Sequence, residues 1–449
     1  MNTPICDFVR RYRDSAALRL HMPGHKGLSF LGPESLDITE IDGADSLYEA
    51  DGIIKESEAN ASRLFASYTY YSTEGSSLCI RAMLYLAVMH ARQAGKHPLI
   101  AAGRNAHKTF LSAAALLDFD LTWLCPTSSD SYLSCHIDPA WLDRFLTEAA
   151  ETPSAVYLTS PDYLGNTVDI RGIAEVCHRH GCLLLVDNAH GAYLRFLPES
   201  SHPIDLGADL CCDSAHKTLP VLTGGAYLHV SSSAPELFWT QAKHALSMFG
   251  STSPSYLILE SLDAANHYLA DGYAEKLAGF IPNIQAMKAR LAAHGFPFAG
   301  DEPLKLTIAA KPYGYTGREI ADYLLARHIV CEFSDPDFVV MMVTPEIHVS
   351  DLARLEECLL SLPKKTPITE ISPRFHRPVR VMTVREAAFS PVEIIPVAES
   401  GGRVLAAATV GCPPAVPIVV CGERIDEAAI SCFSYYGITN CSVVKEGPL

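Results

Sequence analysis

Short apolar runs at Pro98–Ala102, Leu121–Leu124, Ala155–Thr159, Leu183–Val186 and Leu210–Cys212 alternate with stretches of helical periodicity, notably Lys108–Leu117, Pro139–Ala150 and Arg171–His180. Strands that are apolar on both faces and separated by helices call for a mostly parallel sheet covered on both sides. The alternation therefore points to an α/β core, preceded by a strand at Tyr68–Ser72 and closed by one at Gly225–Val230. Ahead of the core, Pro4, Ile5, Phe8, Val9 and Tyr12 read as a short amphipathic helix, followed by a turn-rich arm through Leu20–Gly27. Beyond it, Pro235 to about Gly295 is largely helical, and Leu304–Leu362 runs strand, helix, strand, strand, helix. Pro363–Pro378 reads as a linker, and Val379–Leu449 as a small C-terminal domain or lid. The expected division is an N-terminal arm over 1–60, a large domain over 61–270, a small α+β domain over 271–365 and a C-terminal domain over 366–449.

A chain of 449 residues is too long for one ordinary core, which agrees with that division. Its 48% hydrophobic and 19% charged residues are those of a globular protein, with apolar surface to spare for an oligomer. A net charge of −16 repels phosphate backbones and anionic lipid heads, so nucleic acid is not an expected partner. The 14 cysteines contain no Cys-x-x-Cys pair; Cys79, Cys125, Cys177, Cys182, Cys211 and Cys331 lie in apolar stretches and read as buried reduced thiols. No apolar run reaches the roughly 18 residues of a membrane span, and the first twenty residues carry Asp7, Arg10, Arg11, Arg13 and Asp14. A cytoplasmic protein without membrane contact is expected.

Three clusters carry chemistry. Ser214-Ala215-His216-Lys217-Thr218 directly follows the Ala208–Cys212 run. A lysine at the end of a core strand is partly desolvated, which lowers its pKa and frees the amine for imine formation. Asp187 ends the run Leu183–Val186 and is followed by Asn188, Ala189, His190 and Gly191, at the strand end where open α/β sheets place ligands. A carboxylate buried there needs a cation, and a protonated pyridine nitrogen is one. Asp187 with His190 also suggests a metal, but no third ligand lies at a suitable spacing, and none is expected. Finally, Glu74-Gly75-Ser76-Ser77 precedes a helix starting near Leu78, where backbone amides, helix dipole and hydroxyls suit a phosphate dianion.

The order of the clusters is more specific than any one of them: a phosphate cup, an Asp about 110 residues later, and a Lys thirty residues after that. The set resembles the fold-type I pyridoxal-phosphate enzymes, with an aspartate-aminotransferase-like large domain and a mainly parallel seven-stranded sheet. More narrowly, the chain resembles the bacterial ornithine, lysine and arginine decarboxylases in their short form, without the wing domain. That resemblance rests on His21–Gly27, Asp45–Leu47, Asn105–Thr109, Ser214–Leu219 and Ser253–Tyr256, and more weakly on Pro413–Glu423.

The resemblance implies pyridoxal 5'-phosphate as cofactor, Lys217 as its Schiff-base lysine and Asp187 as partner of the pyridine nitrogen. It implies that His107 stacks on the ring, that His190 lies near the phenolic oxygen or the substrate, and that Gly75, Ser76, Ser77, Ser214 and His216 hold the phosphate. Ser251 matches a hydroxyl donated to the phosphate by a neighbouring subunit, so a homodimer with shared sites is implied. The implied reaction is decarboxylation of a small-molecule basic amino acid, with Lys217 or His190 returning the proton. Asp45 and Glu423 are candidates for the distal cation of that substrate. Alternatives on the same cofactor geometry are an aminotransferase or a carbon–carbon lyase, and outside catalysis a cofactor-binding regulator. The chain departs from the family pattern at Asn188, where short members often carry Glu, and at Ala415 and Cys421, which replace a Gly and a Pro.

Overall fold

The computed structural model describes residues 1–125, 131–373, 376–407 and 417–446. Seven strands form one sheet: β1 (Tyr68–Ser72), β2 (Leu99–Gly103), β3 (Asp120–Leu124), β4 (Ala155–Thr159), β5 (Leu183–Asp187), β6 (Leu210–Asp213) and β7 (Ala226–Val230). Their order is β1-β7-β6-β5-β4-β2-β3. Parallel ladders join β2 to β3 and β5 to β6, whereas β7 is antiparallel to both of its neighbours, β1 and β6. Every residue of β5, β6 and β7 is buried, as the two-faced apolar runs require.

The helices of the first two thirds are α1 (Pro4–Asp14), α2 (Ile53–Phe65), α3 (Gly75–Gln93), α4 (Lys108–Leu117), α5 (Pro139–Glu148), α6 (Ile170–Arg179), α7 (Ala215–Thr218), α8 (Glu236–Ser247), α9 (Tyr256–Ala270) and α10 (Tyr273–His294). Helix α3 starts at Gly75, three residues ahead of the expected Leu78. Gly75 sits at φ +71°, a left-handed conformation that glycine adopts at little cost and that turns the chain from β1 directly into the helix. Ser76 and Ser77 thereby lie inside the first turn.

The chain divides into two compact units. The first comprises Met1–Pro98, Ala150–Tyr157 and Ile170–Ala278. Within it α1 buries Ile5, Cys6 and Val9, and its first amides, those of Ile5 and Cys6, donate to Asp263 Oδ2 at 3.0 Å each. A carboxylate at a helix start satisfies orphan amides and complements the dipole.

The second unit comprises Leu99–Ala149, Leu158–Asp169 and Gly279–Leu449. It holds a four-stranded antiparallel sheet from Phe298–Ala299, Lys305–Ala309, Phe333–Ser334 and Phe338–Met342. Residues 363–379 contain no helix or strand among the described residues. Beyond them Val392–Pro396 pairs antiparallel with Asn440–Val444, and the helix Glu427–Tyr435 packs Cys432 and Phe433 into a core with Leu405, Val419, Ile425 and Val443.

All thirteen described cysteines are free thiols. Cys79, Cys177, Cys182 and Cys211 are buried, but Cys125, just past the end of β3, and Cys331, in the irregular stretch before the strand Phe333–Ser334, are only half-buried. No helix among the described residues is long and apolar enough to cross a membrane.

Candidate active site

Strands β5 and β6 run side by side in register, Asp187 opposite Cys212, and both deliver their carboxyl ends to one place. Asp187 is 2% exposed. Its Oδ2 accepts from Tyr157 Oη at 3.1 Å, and its Oδ1 from the Ala189 amide at 3.2 Å, with the Cys212 thiol at 3.7 Å. A phenol, an amide and a thiol are neutral donors; among the described residues no cation pairs with this carboxylate. Burying a charge in that state is costly unless something positive arrives.

After β6 the chain turns through Ser214 into α7, a single turn that carries Lys217 half-buried. Lys217 Nζ lies 3.1 Å from His190 Nε2, and His190 is itself buried three residues after Asp187. His216 is held by the Gly225 carbonyl, 3.0 Å from its Nδ1. Burial lowers the His216 pKa, the Gly225 bond works against this, and the neighbouring Lys217 ammonium adds to the lowering. The ring is therefore neutral at pH 7, with Nδ1–H donating to Gly225.

Ser214 also reaches the start of α3, where its hydroxyl donates to Ser76 Oγ at 2.8 Å. The Gly75 amide donates to the Gly224 carbonyl at 2.7 Å, and no atom lies within 4 Å of where a Gly75 Cβ would stand. The amino end of a 19-residue helix, two hydroxyl residues and open space beside Gly75 make an anion cradle. Ser251, exposed, donates its amide to Glu74 Oε1 of the same chain at 2.6 Å, immediately before that cradle.

The structure thus brings together Lys217, His190 and His216, and joins Ser214 to Ser76. His107, in the second unit, is the N-cap of α4; its Nδ1 accepts from the Thr109 amide at 3.2 Å. Asp45 and Glu423 are engaged elsewhere. Asp45 Oδ2 accepts from the amides of Gly52 and Ile54 at 2.9 and 3.0 Å and Oδ1 from Ser46 and Asp51, so this acid caps α2 from a distance. Glu423, 1% exposed, is paired with Arg104 at 3.0 Å and accepts the Val420 amide at 2.8 Å. Both carboxylates are thus held by groups of their own chain. Cys421 is buried, and Ala415 with the start of the Pro413–Glu423 stretch lies outside the described residues.

Sequence reasoning missed Tyr157, the phenol on Asp187. Its strand reads Ala-Val-Tyr-Leu-Thr, in which a tyrosine looks like any β-favouring core residue. It also missed His202 and His229, both of which contact Asp213. Among the described residues His202, Cys211 and Asp213 form a buried group whose potential ligand atoms lie within 4.8 Å of one another.

A buried carboxylate lacking a cation, a lysine against an imidazole and a helix-start cradle fit the pyridinium, carbonyl carbon and phosphate of one cofactor. Fold and site define a pyridoxal-phosphate enzyme of fold type I. The chain belongs to the Orn/Lys/Arg decarboxylase family: the major-domain profile matches residues 3–299 and the C-terminal-domain profile residues 376–442. It is accordingly a pyridoxal-phosphate-dependent amino-acid decarboxylase. It is similar to the arginine decarboxylase of Halalkalibacterium halodurans, 30% identical over 96% of this chain and 92% of that protein. It is also similar to the arginine decarboxylase of Bacillus subtilis, 28% identical over 96% of this chain and 92% of that one. Among solved structures, lysine decarboxylase A from Pseudomonas aeruginosa shares the fold with a TM-score of 0.80, covering 98% of this chain and 80% of that one at 17% identity.

Proposed function

We propose that this enzyme removes the α-carboxylate of a basic amino acid, with arginine the first of arginine, lysine and ornithine to be tested, and releases the corresponding amine. The buried Asp187, satisfied only by neutral donors, carries the reading, because it is built for a ring nitrogen that must stay protonated. The family supports decarboxylation, and the two arginine decarboxylases named above support the order of substrates.

Bound pyridoxal phosphate supplies the electron sink for the pair left behind when carbon dioxide departs. Asp187 holds the ring nitrogen protonated, and Tyr157 holds Asp187. Lys217 would be the amine that carries the cofactor, its Nζ kept beside the His190 imidazole. His190, within 3.1 Å of Lys217 Nζ, takes and returns protons there and shares with Lys217 the return of a proton to the α-carbon. Gly75, Ser76, Ser77, Ser214 and His216 would hold the phosphate, and His107 is the imidazole that the family resemblance assigns to the ring.

We read the working form as a cytoplasmic homodimer. Leu18, Leu20, Met22, Leu28, Phe30 and Leu31 are 66–91% exposed in one short arm, an apolar patch that a second subunit would cover. Thirteen free thiols suit a reducing compartment.

The test is to incubate purified protein with each amino acid and measure carbon dioxide and amine. Arginine should give equal yields of both. Keto acid without amine would overturn the reading. In Lys217→Ala the cofactor's lysine-bound absorbance should vanish and kcat fall by at least about 10⁴; a retained band would show that another residue holds the cofactor.

A further inference from the structure

The residues that follow Asp187 and precede Ser214 face each other across the end of the sheet. Side chains alternate along a strand, so with Asp187 and Cys212 on one face, Asn188 and Asp213 project to the other. Asn188 Nδ2 donates to Asp213 Oδ1 at 2.6 Å, and the Asn188 amide donates to the Cys212 carbonyl at 3.0 Å. Asp213 Oδ2 is met by His202 Nε2 and His229 Nε2, each at 3.1 Å. Asn188, Asp213, His202 and His229 are all fully buried, beneath the ring of Phe65.

Hydrogen-bond bookkeeping assigns the charge. His202 Nδ1 has no partner among the described residues, so its proton sits on Nε2 and is donated to Asp213. His229 Nδ1 lies 2.9 Å from Thr69 Oγ1, which donates to it, leaving Nε2–H for Asp213 as well. Burial lowers the His229 pKa and keeps that ring neutral. Burial also opposes ionisation of Asp213, but the two imidazoles outweigh it and hold this acid well below the usual carboxylate range. The other titratable groups that feel Asp213 include the Cys211 thiol, 3.7 Å from Oδ1, the thiols of Cys79 and Cys212, and the phenol of Tyr227. The Asp213 carboxylate is thus held by three N–H donors, of which Asn188 is the one that directly follows Asp187.

We propose that Asn188 and Asp213 are the positioning pair of this site. One N–H···O bond fastens the end of β5, which carries Asp187, to the end of β6, which leads to Lys217, and residue 188 must remain an uncharged donor because Asp213 is a buried carboxylate. This rests on the reading of Asp187 and Lys217 given above. It accounts for the departure at Asn188: a Glu there would set a second carboxylate against the first. It also accounts for Gly191, since a Cβ at that position would stand 2.0 Å from Asn188 Oδ1.

The test compares wild type, Asn188→Asp and the exchanged variant Asn188→Asp/Asp213→Asn. In the exchange, the new amide at 213 accepts from both imidazoles and donates to the new carboxylate at 188. Three quantities are read: cofactor affinity by absorbance titration of apoprotein, apoprotein melting at pH 6 and pH 8.5, and kcat and KM separately. Asn188→Asp should bind the cofactor about 30-fold more weakly and lose about 100-fold in kcat with KM changed less than about threefold. Its apoprotein should melt lower at pH 8.5 than at pH 6 relative to wild type, because the proton shared by two acids is lost as pH rises. The exchanged variant should recover cofactor affinity to within about fivefold of wild type.

Wild-type affinity and pH dependence in Asn188→Asp would overturn the proposal. So would an exchanged variant no better than the single one, or one that does not fold. A stoichiometric metal in wild-type protein that His202→Ala removes would overturn it too. If Asn188→Asp alone fails to fold, the exchanged variant decides. The two readings fail separately: a retained absorbance band in Lys217→Ala removes the site assignment, whereas loss of that band together with a silent Asn188→Asp removes only the positioning pair.

Discussion

Asp187 and Glu423 are equally hidden from water, at 2% and 1% exposure, yet the chain treats them in opposite ways. Around Glu423 it supplies a guanidinium at 3.0 Å and a backbone amide at 2.8 Å, and Arg104 also donates to the carbonyls of Pro417 and Ile418. Burial raises the Glu423 pKa, and Arg104 pulls it back. Around Asp187, among the described residues, it supplies neutral donors only. A buried acid with its own cation is finished structure. A buried acid without one is half of an ion pair whose other half is a ligand, and that difference separates site from scaffold more sharply than burial does.

The contrast breaks first if Asp187→Asn proves harmless. Steady-state assays should show kcat down by about 10²–10³, roughly 3–4 kcal/mol of barrier, while the apoprotein melts no lower than wild type because an unpaired buried charge has been removed. The mirror image is Glu423→Ala, which takes the carboxylate away from the buried Arg104 guanidinium. Denaturant unfolding should register a loss of about 3 kcal/mol, with the affinity of the folded protein for cofactor unchanged.

Two glycines sharpen the comparison. A Cβ at Gly191 meets Asn188 Oδ1 at 2.0 Å, and one at Gly422, beside Glu423, meets the Met382 carbonyl at 2.5 Å. Each change to Ala should destabilise by about 2 kcal/mol in the same unfolding assay, but only Gly191→Ala should weaken cofactor binding in an absorbance titration.

The smallest effect concerns a third acid, Glu260. Burial pushes its pKa up to about 8, Arg10 opposing and Asp263 adding to the rise. A folded-state pKa above the unfolded value means folding takes up a proton. Stability is therefore complete below about pH 4 and falls as pH rises toward 8. Melting curves should show Glu260→Gln more stable than wild type by about 1 kcal/mol at pH 8.5, after allowance for solvent screening, and no more stable at pH 4.

What could be read in the sequence was whatever has a local pattern. β5 and β6 announce themselves because both faces are apolar, and Asp187 and Lys217 stand out as polar residues where such runs stop. Pairings between distant segments have no such pattern. Glu423 finds Arg104 across 319 residues of chain, so an acid beside a recognisable motif looked available when it was taken. Asp45 is similar: an isolated acid in an irregular stretch reads as a ligand, and only the fold shows that it also caps α2 seven to nine residues on. Tyr157 and His202 gave no signal, since a tyrosine in an apolar strand and a histidine in a loop are ordinary.

The antiparallel strand β7 lies between β1 and β6, although it is the last of the seven to be synthesised. During translation β1 has no neighbour in the sheet until Ala226–Val230 emerges from the ribosome, although α3, which springs from the end of β1, also packs on the earlier strands β5 and β6. Ser76 and Ser214, 138 residues apart, can meet only after β6 has been made. With β1 joined to the sheet through β7 alone, cofactor capture waits for the sheet to close, and truncations ending before residue 226 should neither fold this sheet nor turn yellow with pyridoxal phosphate.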